Sequence, residues 1–125
     1  MKLQLARTEG LNTFTAYGSG HVCVNGIAYS GNLVVLPDRL IHGWTQACFD
    51  TLCAADFDFL ATLDAEIFLL GTGNCLRFPR PDLTQALMLS RKGLEVMDIA
   101  AVCRTYNVLI NEGRRTAACL VFDPA

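Results

Sequence analysis

Gly71-Thr72-Gly73 follows the apolar run Ile67-Phe68-Leu69-Leu70, the kind of place where a phosphate-binding loop leaves a strand. The dinucleotide fingerprint needs a third glycine opening a helix, but Leu76 stands there, and the chain has no Gly-Lys-Ser/Thr motif. Glycines at such a corner also serve simply to turn the chain. Asp98 follows the short run Leu94-Glu95-Val96-Met97 and opens a helical pattern, so capping alone accounts for a carboxylate there. The functional alternative depends on topology. If segments 67–70 and 94–97 are parallel neighbours, their carboxyl ends open on one rim, where α/β sheets bind ligands, and Thr72, Asn74 and Asp98 converge. Arg104 or Arg114 would then meet an anionic group through a bidentate guanidinium. Arg104, Tyr106, Asn107 and Glu112 crowd one helix, with Arg114 and Arg115 just beyond. A solvated polar face explains that crowding; a charged pocket or a protein-docking surface is the alternative.

No catalytic constellation assembles. Ser19, Ser30 and Ser90 lack a glycine-flanked elbow, and His21 and His42 have no placed acid. Cys48 and His42 coexist without any motif joining them. The six cysteines, at 23, 48, 53, 75, 103 and 119, form no Cys-x-x-Cys, and two histidines do not complete a zinc shell. No metal and no cofactor is expected. Most of the thiols read as buried, reduced, small hydrophobes rather than as a disulfide framework.

The elements that must position these residues follow from period and punctuation. His21 to Val24 and Ile27 to Ser30 flank Asn25-Gly26, whose backbone preferences make a type I′ hairpin turn. Asn32 to Leu36 reads as a strand ending at Pro37, Pro37-Asp38-Arg39 as a turn, and Ile41 to Trp44 as another short strand. Residues 14–44 thus form a β meander. From Thr51, a potential cap, Leu52, Ala55, Phe59 and Leu63 recur at helical spacing. A second helix runs from an Asp82 cap to Gly93, with Leu83, Ala86 and Leu87 inward. Ile99, Val102, Cys103, Tyr106, Leu109 and Ile110 then trace one face of a helix ending near Glu112, with Gly113 as its C′ residue. Arg104, Asn107 and Asn111 fall on the other side. Thr116 to Phe122 closes the chain as a strand apolar on both faces. The segment Leu94 to Phe122 is the central strand–helix–strand unit of a mixed sheet with helices packed on it.

At 125 residues the chain fits one domain, 1–125. With 52% hydrophobic and only 18% charged residues, either both faces of the main sheet are covered or an apolar patch awaits a partner. The net charge of −2, without a basic stripe, excludes nucleic acid as a partner. Met1 to Arg7 shows no signal-peptide pattern and no window has the length of a membrane span, so a cytoplasmic location is expected.

Gly71-Thr72-Gly73, Met97-Asp98, Ala101 to Leu109 (Ala-Val-Cys-Arg-Thr-Tyr-Asn-Val-Leu) and Glu112-Gly113-Arg114-Arg115 together resemble the family catalogued as "domain of unknown function 498". Its eukaryotic members include the mitochondrial complex I assembly factor 3 and the adipogenesis-associated Mth-domain protein. The likeness spans about Tyr17 to Phe122. It implies a three-layer α/β fold with a central mixed sheet and an added N-terminal β layer (the Mth-type fold), without implying a reaction. Many members have Thr where this chain has Ile99, which removes a hydroxyl from any pocket there. Short and without a targeting extension, the chain looks like a bacterial-type stand-alone member. A non-enzymatic interaction or complex-assembly module is therefore the leading expectation. The alternative is a binding protein or enzyme for a small anionic ligand, with its site near Thr72, Asp98 and Arg104.

Overall fold

The computed structural model describes residues 10–124; the expectation for Met1 to Arg7 lies outside them. Five short strands come first: β1 (Phe14–Gly18), β2 (His21–Val24), β3 (Ile27–Tyr29), β4 (Leu33–Leu36) and β5 (Arg39–His42). The Asn-Gly turn forms as expected, with φ of +52° at Asn25 and +83° at Gly26, and Val24 pairs directly with Ile27. The meander is, however, split between two sheets. β1-β2-β3 form one antiparallel sheet, whereas β4 and β5 join β6 (Ile67–Gly71), β7 (Gly93–Met97) and β8 (Thr116–Leu120) in a five-stranded sheet ordered β5-β4-β8-β6-β7. β4 meets β5 and β8 antiparallel; β6 runs parallel to both β7 and β8.

Asn32 marks the break between the sheets. Its amide donates to the carbonyls of Thr45 (3.0 Å) and Ala47 (2.8 Å) and accepts from the Phe122 N–H (2.9 Å). One side chain thus replaces the ladder bonds that the chain loses in changing sheets.

The inner strands β4, β6 and β8 are apolar on both sides because both faces are covered. Alternate residues divide two cores. Val34, Leu36, Phe68, Leu70 and Cys119 face α1 (Ala54–Ala61) and α2 (Gln85–Leu89). Leu33, Val35, Leu69, Ala118 and Leu120 face α3 (Ile99–Asn111). Val22, Val24 and Phe14 of the three-stranded sheet join that second core, so this sheet is an extra layer beside α3. This is the three-layer architecture expected.

α3 matches its sequence pattern closely. Ile99, Val102, Cys103, Tyr106 and Ile110 are buried, and Asp98 Oδ1 accepts the Ala101 N–H at 2.8 Å. At its other end the Gly113 N–H donates to Ile110 O and the Arg114 N–H to Leu109 O, the paired bonds of a Schellman stop.

Elsewhere the boundaries differ. β5 covers residues 39–42, and Trp44 lies beyond it, its indole N–H donating to Leu120 O at 3.0 Å. Thr51 ends a short 3₁₀ turn; Cys53 caps α1, and its N–H donates to the Asp56 carboxylate at 2.9 Å. Phe57 and Leu60 face inward while Ala55 and Phe59 face out, and the helix starts two residues later than the pattern suggested. Asp82 lies in a run of turns, and α2 begins at Gln85. Gly93 opens β7 rather than closing that helix. β7 is an edge strand, so the β7–α3–β8 unit is central only through α3 and β8.

The thiols also differ from expectation. Cys103 and Cys119 are buried, but Cys23 and Cys48 are half-buried and Cys53 and Cys75 exposed. In β2 it is Val22 and Val24 that point inward, which turns Cys23 outward by the two-residue period.

Candidate functional site

Because β6 and β7 are parallel neighbours, their carboxyl ends do open on one rim. The loop after β6 is stitched to the start of α3: the Thr72 N–H donates to Met97 O and the Ile99 N–H to Gly73 O, both at 3.0 Å. Packing explains both glycines. A Cβ on Gly71 would lie 3.0 Å from Leu120 and 3.1 Å from Ile99. At Gly73, φ is +95° and a Cβ would meet the Asp123 carboxylate at 2.3 Å, a separation that Cβ atoms do not tolerate.

Asp123 holds this corner closed. Its carboxylate accepts the Asn74 N–H at 2.8 Å and an Arg77 guanidinium N–H at 2.5 Å. Those bonds, the Asn74 amide foremost, hold the carboxyl below its ordinary pKa against an opposing desolvation effect. The Arg77 guanidinium also donates to Thr72 O and lies 4.9 Å from the centre of the Phe49 ring.

Of the three residues expected to converge, two do. Asn74 and Asp98 line a cavity of about 220 Å³, walled by Tyr17 and the Gly18-Ser19-Gly20 turn of the three-stranded sheet, and by Phe122. Thr72 is fully buried behind it, its hydroxyl donating to Cys75 O (2.7 Å) and accepting the Arg77 N–H (3.1 Å). Thr72 therefore shapes the loop and does not face the cavity. The lining includes no lysine or arginine, so the anionic group expected at this rim meets no guanidinium there. The helix explains why. Thirteen residues at 1.5 Å each place Asp98 and Arg114 roughly 20 Å apart, at opposite ends of α3.

The other candidates sit along or beyond α3. Arg104 donates to the Tyr17 hydroxyl at 2.9 Å, with its guanidinium carbon 5.9 Å from the Tyr17 ring centre. That bond raises the guanidinium pKa. Tyr106 faces inward, edge-on to Phe14 at 5.2 Å, and its hydroxyl donates to Asn12 O at 3.1 Å; burial raises its phenol pKa. Asn107, expected on the solvated side, instead brackets β1. Its amide accepts the Phe14 N–H at 2.9 Å and donates to Phe14 O at 2.7 Å. Glu112 is the exposed C-cap. Arg114 pairs with Glu66 at 2.7 Å, and Arg115 reaches Asp38 and Asp64. Both arginines therefore pin the amino-terminal edge of the parallel strands, far from the cavity.

The thiols and imidazoles do not gather into a centre. Burial pushes the Cys103 thiol up to about 12. Cys48 partners Thr51, whose hydroxyl lowers the thiol pKa. Among the described residues, no cluster of three or more His, Cys, Asp or Glu side chains is placed to hold a metal.

The sequence reading missed Tyr17, the Gly18–Gly20 turn, Phe122 and Asp123. Tyr17 is 87 residues from Arg104, and only the fold brings them together. One signal was legible: Asn107, a poor helix former in mid-helix, has a side chain committed to backbone elsewhere.

Known proteins similar in sequence and fold cover nearly all of these elements. The mouse (Mus musculus) NADH dehydrogenase [ubiquinone] 1 alpha subcomplex assembly factor 3 is 30% identical over 111 residues, which is 87% of this chain and 60% of that protein. The chain thus spans about three-fifths of the length of that curated relative. A crystal structure of a Bordetella parapertussis protein superposes with a TM-score of 0.83 at 33% identity, covering 91% of this chain and 98% of that one. A Bordetella pertussis protein described as a Mth938-like domain gives a TM-score of 0.75 at 29% identity, covering 90% and 86% respectively. The sequence model of one family matches residues 14–121, from the first residue of β1 to just past β8. The chain therefore belongs to the family described as "Protein of unknown function (DUF498/DUF598)".

Proposed function

We propose that this chain is a non-enzymatic protein-interaction module that assists the assembly of a larger complex, and that it contacts its partner through Tyr17, Arg104 and Val108. The observation that carries this reading is the Tyr17–Arg104 pair. A tyrosine hydroxyl and a guanidinium are joined by a 2.9 Å hydrogen bond on the surface, and Val108, 57% exposed, lies one helical turn further along α3. Tyrosine and arginine dominate the centres of protein interfaces, and a pair already fixed loses little rotamer freedom on docking. The relative named as an assembly factor supports the same class of role.

The chain works in the cytoplasm in this reading. Its six free cysteines, two of them exposed, suit a reducing compartment. Among the described residues, no helix is long and apolar enough to cross a membrane.

The test is capture from native extract with the tagged full-length chain. Wild type should retain a reproducible partner. Arg104→Ala combined with Val108→Ser should weaken retention about thirtyfold, the scale of a hot-spot loss, without lowering the melting temperature. Repeated recovery of the bare chain, or full retention by the double variant, would sink the proposal.

A further inference from the structure

Among the described residues, the layer that α3 forms with the three-stranded sheet is almost devoid of charge. Residues 10–37 contain no Asp, Glu, Lys or Arg, and between the Asp98 cap and Glu112 the helix has a single charged side chain, Arg104. Arg77, Arg114 and Arg115 each pair with a carboxylate of this chain, whereas Arg104 has no such pair among the described residues. Asp98, about a turn and a half back on α3, acts on it only through space and spends one oxygen on the Ala101 N–H. The guanidinium is nonetheless held in place. It donates from Nη1 to the Tyr17 hydroxyl at 2.9 Å, with its carbon 5.9 Å from the Tyr17 ring centre. That bond leaves the Nε–Nη2 edge, whose two parallel N–H groups match the two oxygens of a carboxylate.

A depression of about 90 Å³ opens beside this pair, between β1 and α3. The polar side chains that line it are already committed within the chain. Asn107 brackets Phe14 with both ends of its amide. The Thr15 hydroxyl donates to Cys23 O at 3.5 Å and accepts the Gly26 N–H at 2.9 Å. What remains for an occupant is the apolar surface of Phe14 and Ala16 and the Cys103 thiol, which burial keeps protonated. A space whose donors and acceptors are already met suits an apolar group, and its size suits a short one.

We infer that the partner of this face presents a short acidic segment, with one Asp or Glu carboxylate on the Nε–Nη2 edge of Arg104 and a neighbouring small aliphatic side chain in the depression. The inference rests on the interaction role proposed above and adds the chemistry of the occupant. Charge complementarity selects it. The layer offers one fixed cation with no carboxylate paired to it, and covering that cation with a neutral surface would leave its charge buried and unpaired. A polyphosphate such as nucleic acid calls for several cations, and this layer supplies one. The chain as a whole has a net charge of −2, so a preference for an acidic segment must be local to Arg104 rather than a bulk attraction.

Panning a phage-displayed library of random peptides on the immobilised full chain tests it. Peptides enriched on wild type should share an Asp or Glu next to Ala or Val, and panning on Arg104→Glu should enrich Lys or Arg in place of the acid. A synthetic copy of the wild-type peptide should bind Arg104→Lys about tenfold more weakly, because an ammonium keeps the charge and loses the bidentate edge. Ala16→Leu, which narrows the depression, should weaken binding to a similar degree. Both variants should keep the wild-type melting temperature, and Arg114→Ala, at the far end of α3, should bind as wild type. A motif without an acid, the same acidic motif on Arg104→Glu, or no enriched motif would each overturn the inference. Capture from extract separates this failure from failure of the interaction role. A partner lost by Arg104→Ala/Val108→Ser, together with a motif lacking an acid, removes this occupant and keeps the role.

Discussion

The two faces of the five-stranded sheet are covered in different ways. On one, α3 spans 13 residues, is capped at both ends, and is itself overlaid by the three-stranded sheet through Phe14, Tyr106 and the Asn107 bracket. On the other, α1 and α2, of 8 and 5 residues, bury only Phe57, Leu60 and Leu87 from their own helical turns. Helices so short do not hold themselves together in water and depend on those few contacts. The first face is consequently closed over its core, with Tyr17 and Val108 left exposed on its surface. The second leaves Phe59, Phe78, Met88 and Leu89 exposed. A long helix can be sandwiched; two short ones leave apolar side chains over.

That difference predicts where the fold is most fragile. Phe57→Ala removes a fully buried ring from the thinly covered face and should cost about 3–5 kcal/mol, measured by urea unfolding. Such a loss is a large part of a small domain's stability. If the protein unfolds at nearly the wild-type midpoint, α1 is not held as described.

Asn107→Ala tests the overlay on the other face. It leaves the backbone N–H and C=O of Phe14 without their partner and should cost about 1–3 kcal/mol. Hydrogen exchange should show protection lost in β1–β3 and kept in β6 and β8. Uniform loss throughout would mean that the three-stranded sheet is not a separable layer. Asp98→Ala should cost about 1 kcal/mol, whereas Asp98→Asn should be nearly neutral because asparagine caps equally well. An Asn variant as damaging as the Ala variant would show that the charge at this rim has a role beyond capping.

The same contrast decided what could be read from the sequence. α3 is long enough for its six apolar positions to outvote local ambiguity, and Asp98 and Gly113 marked its ends. In α1 the run Asp56-Phe57-Asp58-Phe59 offers two phenylalanines with opposite orientations, and eight residues do not decide between them. Asp82 resembled a cap because turn residues and cap residues are the same types. Strand order and apolar runs allow the parallel pairing that makes the rim without requiring it; the structure supplies it. The rim's outer wall was not legible at all, since the Gly18–Gly20 turn and Asp123 arrive there from the two ends of the chain. Contacts of that range carry no local period to detect.

The smallest effect expected is on the closed rim. The Asp123 carboxyl is held below its ordinary pKa, so its contribution is full above the unfolded carboxylate value near ~4 and fades as pH falls through the lower folded value. Asp123→Asn should therefore cost on the order of 1 kcal/mol at neutral pH, and the gap from wild type should close in strong acid. A gap that widens toward acid would reverse the sign of this linkage.

Quantitative capture from native extract bears most directly on the central claim, that the closed α3 face is the one that contacts a partner. Three tagged full-length chains are compared: wild type, Arg104→Ala/Val108→Ser, and Phe78→Ser/Leu89→Ser. The expected result is a partner retained by wild type and by the Phe78/Leu89 variant and lost by the Arg104/Val108 variant. Loss confined to the Phe78/Leu89 variant, or no reproducible partner for any chain, would contradict it.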